Sequence, residues 1–356
     1  MRAAVVGAGI MGRLLALRLY QAGWQVTLFD QNKENSDALS CSSAAAGLLT
    51  PVSELDHADE MIFHLGLEAI TKHWPEILQK LPEPIYWNRI GSLVVHHPQD
   101  GAEWLCFSDR IKSKLGNDYF QSLPQDELQE LEPELGKFEQ AYYFAAEGNL
   151  DSQAVLRVLG SYLRNKGVDW YANTEVLSVH AGQVIAENVC QQFDMVFDCR
   201  GLGGKEIYPK LRGLRGELIY LHAPDVGFRR PIRLLHPRYK IYLAPRPNHH
   251  YLIGATELET EDQSAISVRS TLELLTAAYY VHPGFAEARI VQTITHCRPT
   301  LPHHLPCIKY APQLIAINGL YRHGFLIAPT LAQEVMNWLS TQQRGIRYPQ
   351  LWESLS

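Results

Sequence analysis

No apolar run in this chain approaches the ~18 residues of a membrane-spanning helix. Positive charge is not in excess: 32 Lys and Arg against 38 Asp and Glu leave a formal net charge of −6. That balance argues against nucleic acid or an acidic membrane as the main partner. The six cysteines (Cys41, Cys106, Cys190, Cys199, Cys297, Cys307) contain no CxxC pair, so they read as the scattered thiols of a reducing compartment. HExxH is missing as well. The pairs His249-His250 and His303-His304 have no carboxylate cluster beside them, and neighbouring side chains of extended chain point apart, so no metal is expected. Repeats and low-complexity tracts are also lacking, and the N-terminal residues are expected to fold as a strand rather than serve as a signal peptide. What remains is ordinary globular usage, 46% hydrophobic and 20% charged over 356 residues, enough for two domains around buried cores. A cytoplasmic protein with free thiols is the expectation.

The first thirty residues carry the strongest signal. An apolar run, Ala3 to Val6, leads into Gly7-Ala8-Gly9-Ile10-Met11-Gly12, an amphipathic helix and a second apolar run ending at Asp30. Gly7 permits a tight turn, Gly9 close approach to a pyrophosphate, and Gly12 close packing of helix on strand. The helix start offers N–H groups and a positive dipole end to phosphates. Asp30, 23 residues beyond Gly7, falls where a carboxylate accepts hydrogen bonds from an adenosine ribose. Strand, helix, strand and acid in this order predict a dinucleotide site. Because the fingerprint starts at Met1, no domain is expected before it.

Gln31-Asn32-Lys33 puts no arginine directly after the second strand, which disfavours the 2′-phosphate of NADP. The stretch Cys41-Ser42-Ser43-Ala44-Ala45-Ala46-Gly47-Leu48-Leu49-Thr50-Pro51 suits backbone passing close to a bulky flat ligand; a small-residue loop packed under a helix is the other reading. After the Rossmann-type unit, it resembles the segment under the flavin of FAD oxidases.

Further along, residues 61–81 place Ile62, Leu65, Ala69, Ile70, Trp74, Ile77 and Leu81 on one helical stripe that Pro75 kinks or restarts. Residues 151–165 read as a helix capped by Asp151 or Ser152. Strands are expected at 168–179 and 183–198, the latter running into Gly201-Leu202-Gly203-Gly204. A β-rich stretch follows (216–222, 239–245, 251–256, 289–296), interrupted by a helix near 268–281. Last come a strand at 313–318, a glycine-bounded loop and a helix from Pro329 to Leu339. The dinucleotide domain thus reads as three separated pieces. The fold class is α/β, with a Rossmann-type domain at 1–82, 148–205 and 299–356 and an inserted β-rich substrate domain at 83–147 and 206–298.

On RGLRGELIYLHAP (212–224), RPIRLLHPRYKIYLAPRP (230–247), YLIGATELE (251–259), HPGFAEARI (282–290), CRPTLP (297–302) and NGLYRHGFLIAP (318–329), the chain resembles the D-amino acid oxidase-like FAD oxidoreductases. Within them it is most similar to the glycine oxidases of thiamine biosynthesis. The resemblance implies noncovalent FAD near Gly7–Gly12, Asp30, Ser42, Ser43, Ala46, Gly47, Leu48, Val176, Gly201, Arg298, Gly324 and Phe325. It also implies dehydrogenation of a small amino acid to its imine, with dioxygen reduced to hydrogen peroxide. Sarcosine and D-amino acid oxidases or dehydrogenases share this pattern. A flavin-bearing RNA-modifying or partner subunit is disfavoured by the missing basic face. A homo-oligomer and enzymes of thiazole synthesis are compatible partners.

Three residues read as catalytic. In the hairpin KIYLAP–YLIGAT, alternation places Lys240, Tyr242 and Ala244 on one face. Tyr242 either presents its hydroxyl to a cavity or sits at the sheet surface, and the resemblance favours the cavity. Arg298 before Pro299 reads as a bidentate clamp for a carboxylate or as a structural ion pair; the resemblance implies the clamp. Arg322 either approaches the substrate or orders its loop. His236 and His323 read as loop-ordering residues. Pro302-His303-His304 departs from the proline-aspartate usual in the family, which bears on the loop and on substrate preference. Cys297 reads as an inert thiol.

Overall fold

The computed structural model describes residues 1–33, 40–187, 189–235, 240–341 and 345–355; His236 lies outside the described residues. Strand β1 (Arg2–Val6) enters helix α1 (Ile10–Gln21) and the chain returns as β2 (Gln25–Phe29), parallel to β1. They form part of a seven-stranded sheet. Its order is Trp352–Ser354, Cys307–Ala311, Leu314–Asn318, Met195–Asp198, β1, β2, Asp169–Tyr171. The five strands from Leu314–Asn318 to Asp169–Tyr171 are parallel. Parallel strands are covered on both faces, which explains the unbroken apolar run of β1. Ala3 and Val5 pack with α1 and with the helices Ser152–Asn165 and Gly324–Thr341. Ala4 and Val6 pack with Val176, Val179 and Val184 of a small antiparallel sheet.

A second, eight-stranded sheet runs Arg289–Thr300, Arg212–His222, His250–Gly254, Lys240–Arg246, Ile232–Leu235, Ser92–His96, Gln140–Phe144, Gln121–Pro124. The expected hairpin forms, with Tyr242 beside Gly254 and Leu243 beside Ile253. Alternation divides its faces. Ile219, Ile241, Leu243 and Ile253 make a core with Leu274 and Ala278 of the helix Val268–Val281. Leu218, Ala244 and Leu252 face the other way, toward Ala46 of the loop after β2.

The structure differs from expectation in three places. Residues 168–198 form several short strands rather than two long ones. The stripe at 61–81 runs as one continuous helical stretch of Glu60–Glu68, a wide π-type turn over Ala69–His73, and Trp74–Lys80, with Pro75 directly after the wide turn rather than at a fresh helix start. The final helix starts at Gly324 rather than Pro329 and holds Pro329 inside it. Proline cannot donate to the carbonyl four residues back, that of Phe325, and the Trp74 indole N–H donates to it instead at 2.9 Å.

Candidate active site

A cavity of about 1030 Å³ lies between the two sheets, at the upper end of the ~300–1,000 Å³ typical of ligand pockets. Its one end is the turn after β1. Gly7 has φ +99°, and a Cβ there would sit 2.5 Å from the Cys199 carbonyl oxygen; one on Gly12 would lie 1.9 Å from the Gly7 carbonyl oxygen. The turn therefore exists only with bare backbone at these positions. Asp30 is fixed beside it, accepting from the Ala8 N–H at 2.6 Å and the Asn32 N–H at 2.7 Å. Ser42 accepts from the Ile10 N–H at 2.9 Å, tying the small-residue loop to the start of α1. Arg246 holds the same loop through the Ala46 carbonyl.

Of the residues expected around the cofactor, Gly7, Gly9, Ile10, Met11, Asp30, Ser42, Ala46, Gly47, Leu48, Val176, Gly201, Arg298, Gly324 and Phe325 line this cavity. Ala8, Gly12 and Ser43 are not among the lining residues. Ala8 acts through its N–H on Asp30, Gly12 packs on the turn, and the Ser43 hydroxyl donates to the Ser40 carbonyl at 2.8 Å. Arg200 also lines the wall. It is paired with Asp198 at 2.7 Å and donates to the Val176 carbonyl at 3.4 Å.

The other end is built on the inward face of the eight-stranded sheet, where Leu218, Gly254, Tyr242 and Arg233 are cross-strand neighbours in one row. Tyr242 opens to the cavity, and burial pushes its phenol up to about 12 against the charge of Arg298. Arg298 lies across Gly216: a Cβ there would meet its Nη2 at 2.2 Å. Its Nη1 donates to the Thr256 carbonyl at 3.2 Å, and no carboxylate among the described residues pairs with it. Arg322 is differently placed. Its Nη2 contacts Glu54 at 2.6 Å and its Nη1 Glu257 at 3.4 Å, while the Tyr321 hydroxyl donates to Glu257 at 2.5 Å. His323 Nε2 meets the same Glu54 oxygen at 3.0 Å. Burial would raise the Glu54 carboxyl, but the charge of Arg322 and the contact with His323 hold it well below the usual range.

Behind this wall sits Glu147, fully buried, accepting from the Val52 and Ser53 N–H groups at 2.8 and 2.6 Å and from the hydroxyls of Ser53 and Ser92. Asp56 pairs with Arg233 and Arg110. Glu54, Glu147, Thr256 and Glu257 were not singled out from sequence. For Glu54 a signal existed, a carboxylate three residues beyond the Pro51 that closes the small-residue stretch. His304 stacks on Tyr321 with ring centroids 4.6 Å apart, and His249 contacts the Val226 carbonyl. The Cys297 sulfur lies 3.8 and 3.7 Å from the carbonyls of Thr260 and Asp262.

The donor set fits a dinucleotide. There is bare backbone at a helix start, a carboxylate fixed at the end of β2, and room above Gly324, where an added Cβ would have Ile10 Cγ2 at 3.7 Å as its nearest neighbour. The chain belongs to the family of FAD dependent oxidoreductases, which matches it over residues 2–338; it is a flavoenzyme, and FAD is its cofactor. It is similar to a protein of Rhizobium etli that carries the provisional name thiamine biosynthesis oxidoreductase ThiO, 36% identical over 96% of this chain and 98% of that one. Among solved structures it is similar to the glycine oxidase of Bacillus cereus (TM-score 0.83, 23% identity, 96% and 98% of the two chains). The iminodiacetate oxidase of Chelativorans sp. BNC1 is also similar (TM-score 0.82, 21% identity, 99% of each chain). No helix among the described residues is long and apolar enough to cross a membrane.

Proposed function

We propose that this enzyme oxidises a small amino acid, glycine first among the candidates, to its imine, with dioxygen as electron acceptor and hydrogen peroxide as product. The observation that carries the reading is Arg298. Its guanidinium is the cation at the substrate end of the cavity that no carboxylate of the described chain neutralises, and it lies on the same sheet face as Tyr242. A carboxylate is the ligand such a planar fork takes, in two parallel hydrogen bonds that fix both position and orientation. Tyr242 would add a hydroxyl contact, and Arg322, bound to two carboxylates, would order the wall.

The segments 1–82, 148–205 and 299–356 would hold FAD: bare backbone at Gly7–Gly12 toward the pyrophosphate, Asp30 toward the ribose, Ser42–Leu48 and Gly324–Phe325 toward the ring. The segments 83–147 and 206–298 would hold the substrate. FAD, when bound, supplies the two-electron acceptor for a hydride leaving the substrate Cα. The protein's part is to hold that Cα–H in one orientation and to exclude water, which a clamp at the carboxylate achieves for a molecule as small as glycine.

The name of the Rhizobium relative supports thiazole synthesis as the consumer of the imine. The six free thiols support a reducing compartment, the cytoplasm. The test is to incubate the purified protein with glycine, sarcosine and D-alanine and to follow peroxide. Arg298→Ala should raise KM for the preferred substrate at least about tenfold, because the substrate carboxylate loses its charged partner. Peroxide from none of the three overturns the reading.

A further inference from the structure

Glu54 is held in an unusual way. Arg322 Nη2 at 2.6 Å and His323 Nε2 at 3.0 Å both converge on its Oε2, while Oε1 has no hydrogen-bond partner among the described residues. Its side chain is partly open, and Glu54 lines the same cavity as Arg298 and Tyr242. A cation and an anion thus reach this cavity with Tyr242 from different elements, Arg298 from the eight-stranded sheet and Glu54 from the segment after the small-residue loop. The backbone leading into Glu54 is fixed as well, since Glu147 accepts from the adjoining Val52 and Ser53 N–H groups.

We propose that Glu54 receives the substrate's amino group on Oε1 while the Arg298 guanidinium of the same cavity takes the carboxylate. The inference rests on the amino-acid oxidase reading above and adds the second half of its recognition. Its chemistry favours reaction as well as binding. In the bound amine an N–H donates to Oε1 while the nitrogen lone pair stays free. When the Cα–H bond breaks and hydride departs with both electrons, the lone pair forms the C=N bond and the nitrogen becomes a cationic iminium. A fixed carboxylate beside that nitrogen interacts more strongly with the developing cation than with the neutral amine, which lowers the barrier rather than merely tightening binding. Arg322 and His323 are then positioning residues that keep Glu54 ionised and aimed.

The experiment compares wild type, E54Q and Arg298→Ala as FAD-loaded enzymes. It measures FAD content, kcat and KM for glycine, and the Kd of acetate, a ligand with the carboxylate but no amine, from perturbation of the flavin absorption spectrum. With FAD content unchanged, E54Q should lower kcat/KM for glycine at least about 100-fold and shift the acetate Kd by less than about threefold. Arg298→Ala should weaken both ligands. E54Q keeps the side-chain volume and an acceptor for Arg322; if even this variant loses FAD, Glu54→Asp serves in its place with the same two readouts. Equal weakening of glycine and acetate, or glycine turnover near wild type, overturns the assignment of Glu54 while leaving the oxidase reading intact. A wild-type enzyme that oxidises no amine overturns both.

Discussion

Gly216 is defined by the atom it lacks. A Cβ there would fall 2.2 Å from Arg298 Nη2 and 2.4 Å from its Cζ, closer than any non-bonded contact allows. Gly216→Ala should therefore displace the guanidinium and raise KM for the amino-acid substrate about tenfold or more, with FAD content unchanged; steady-state kinetics with a flavin assay checks both. Glu147 yields a pH prediction. Burial pushes its carboxyl up to about 7 despite four donated hydrogen bonds. In the unfolded chain it returns to near 4.5, so between these values the folded state holds a proton that the unfolded state releases. Stability from this group is complete below about pH 4.5 and is lost as pH rises through about 7, up to about 3 kcal/mol. Glu147→Gln, whose amide satisfies two N–H donors and two hydroxyls alike, should abolish that slope in melting curves taken across the window. A motif and an alternation pattern drew notice to Arg298 and Tyr242 but left each open to a structural reading, and it took the family resemblance to place them toward the cavity that both line. Glu54 carried only the faint signal of its place after Pro51, and Glu257 none, because their partners, Arg322 and Tyr321, lie far along the chain and only the fold brings them together.

Among the elements, the meeting of two helices at Phe325 is the most exposed to a single change. Pro329 leaves the Phe325 carbonyl without its helical donor, and the Trp74 indole N–H replaces it while its ring stacks on Phe325 at 6.3 Å. Trp74→Phe keeps an aromatic ring but strands a buried carbonyl, so it should cost about 1–3 kcal/mol, read as a lowered Tm of the FAD-loaded enzyme. Because Phe325 lines the cavity, the same variant should weaken FAD retention. An unchanged Tm would mean that water or a relaxed backbone satisfies the carbonyl. This compensation explains where sequence reading failed. Pro329 looks like a helix start by local rules, and only a tryptophan from another helix lets it sit inside one. The β1–α1–β2 unit and the Tyr242 hairpin were legible because their patterns are local: unbroken apolar strands around a glycine turn, and alternation about Arg246–His250. The π-type turn at Ala69–His73 breaks no rule visible in one helical stripe.

For the molecule as a whole, the cofactor should be held without a covalent bond. The Cys297 sulfur packs on the carbonyls of Thr260 and Asp262, and burial pushes the thiol up, away from the reactive thiolate. Acid precipitation should leave yellow FAD in the supernatant; a yellow pellet, or a Cys297 peptide with the mass of flavin added, would contradict this. The seven-stranded sheet has a temporal consequence as well. Met195–Asp198 lies between β1 and Leu314–Asn318, and α1 packs under Gly324–Thr341. The turn after β1 is thus completed by segments synthesised some two to three hundred residues later. On the ribosome, Leu14, Leu15, Leu17 and Leu19 must wait for their cover, and such non-local closure is slow and prone to association. Flavin capture then becomes a late event of biogenesis, and nascent chains stalled before residue 314 should bind no FAD however much of it the cell contains.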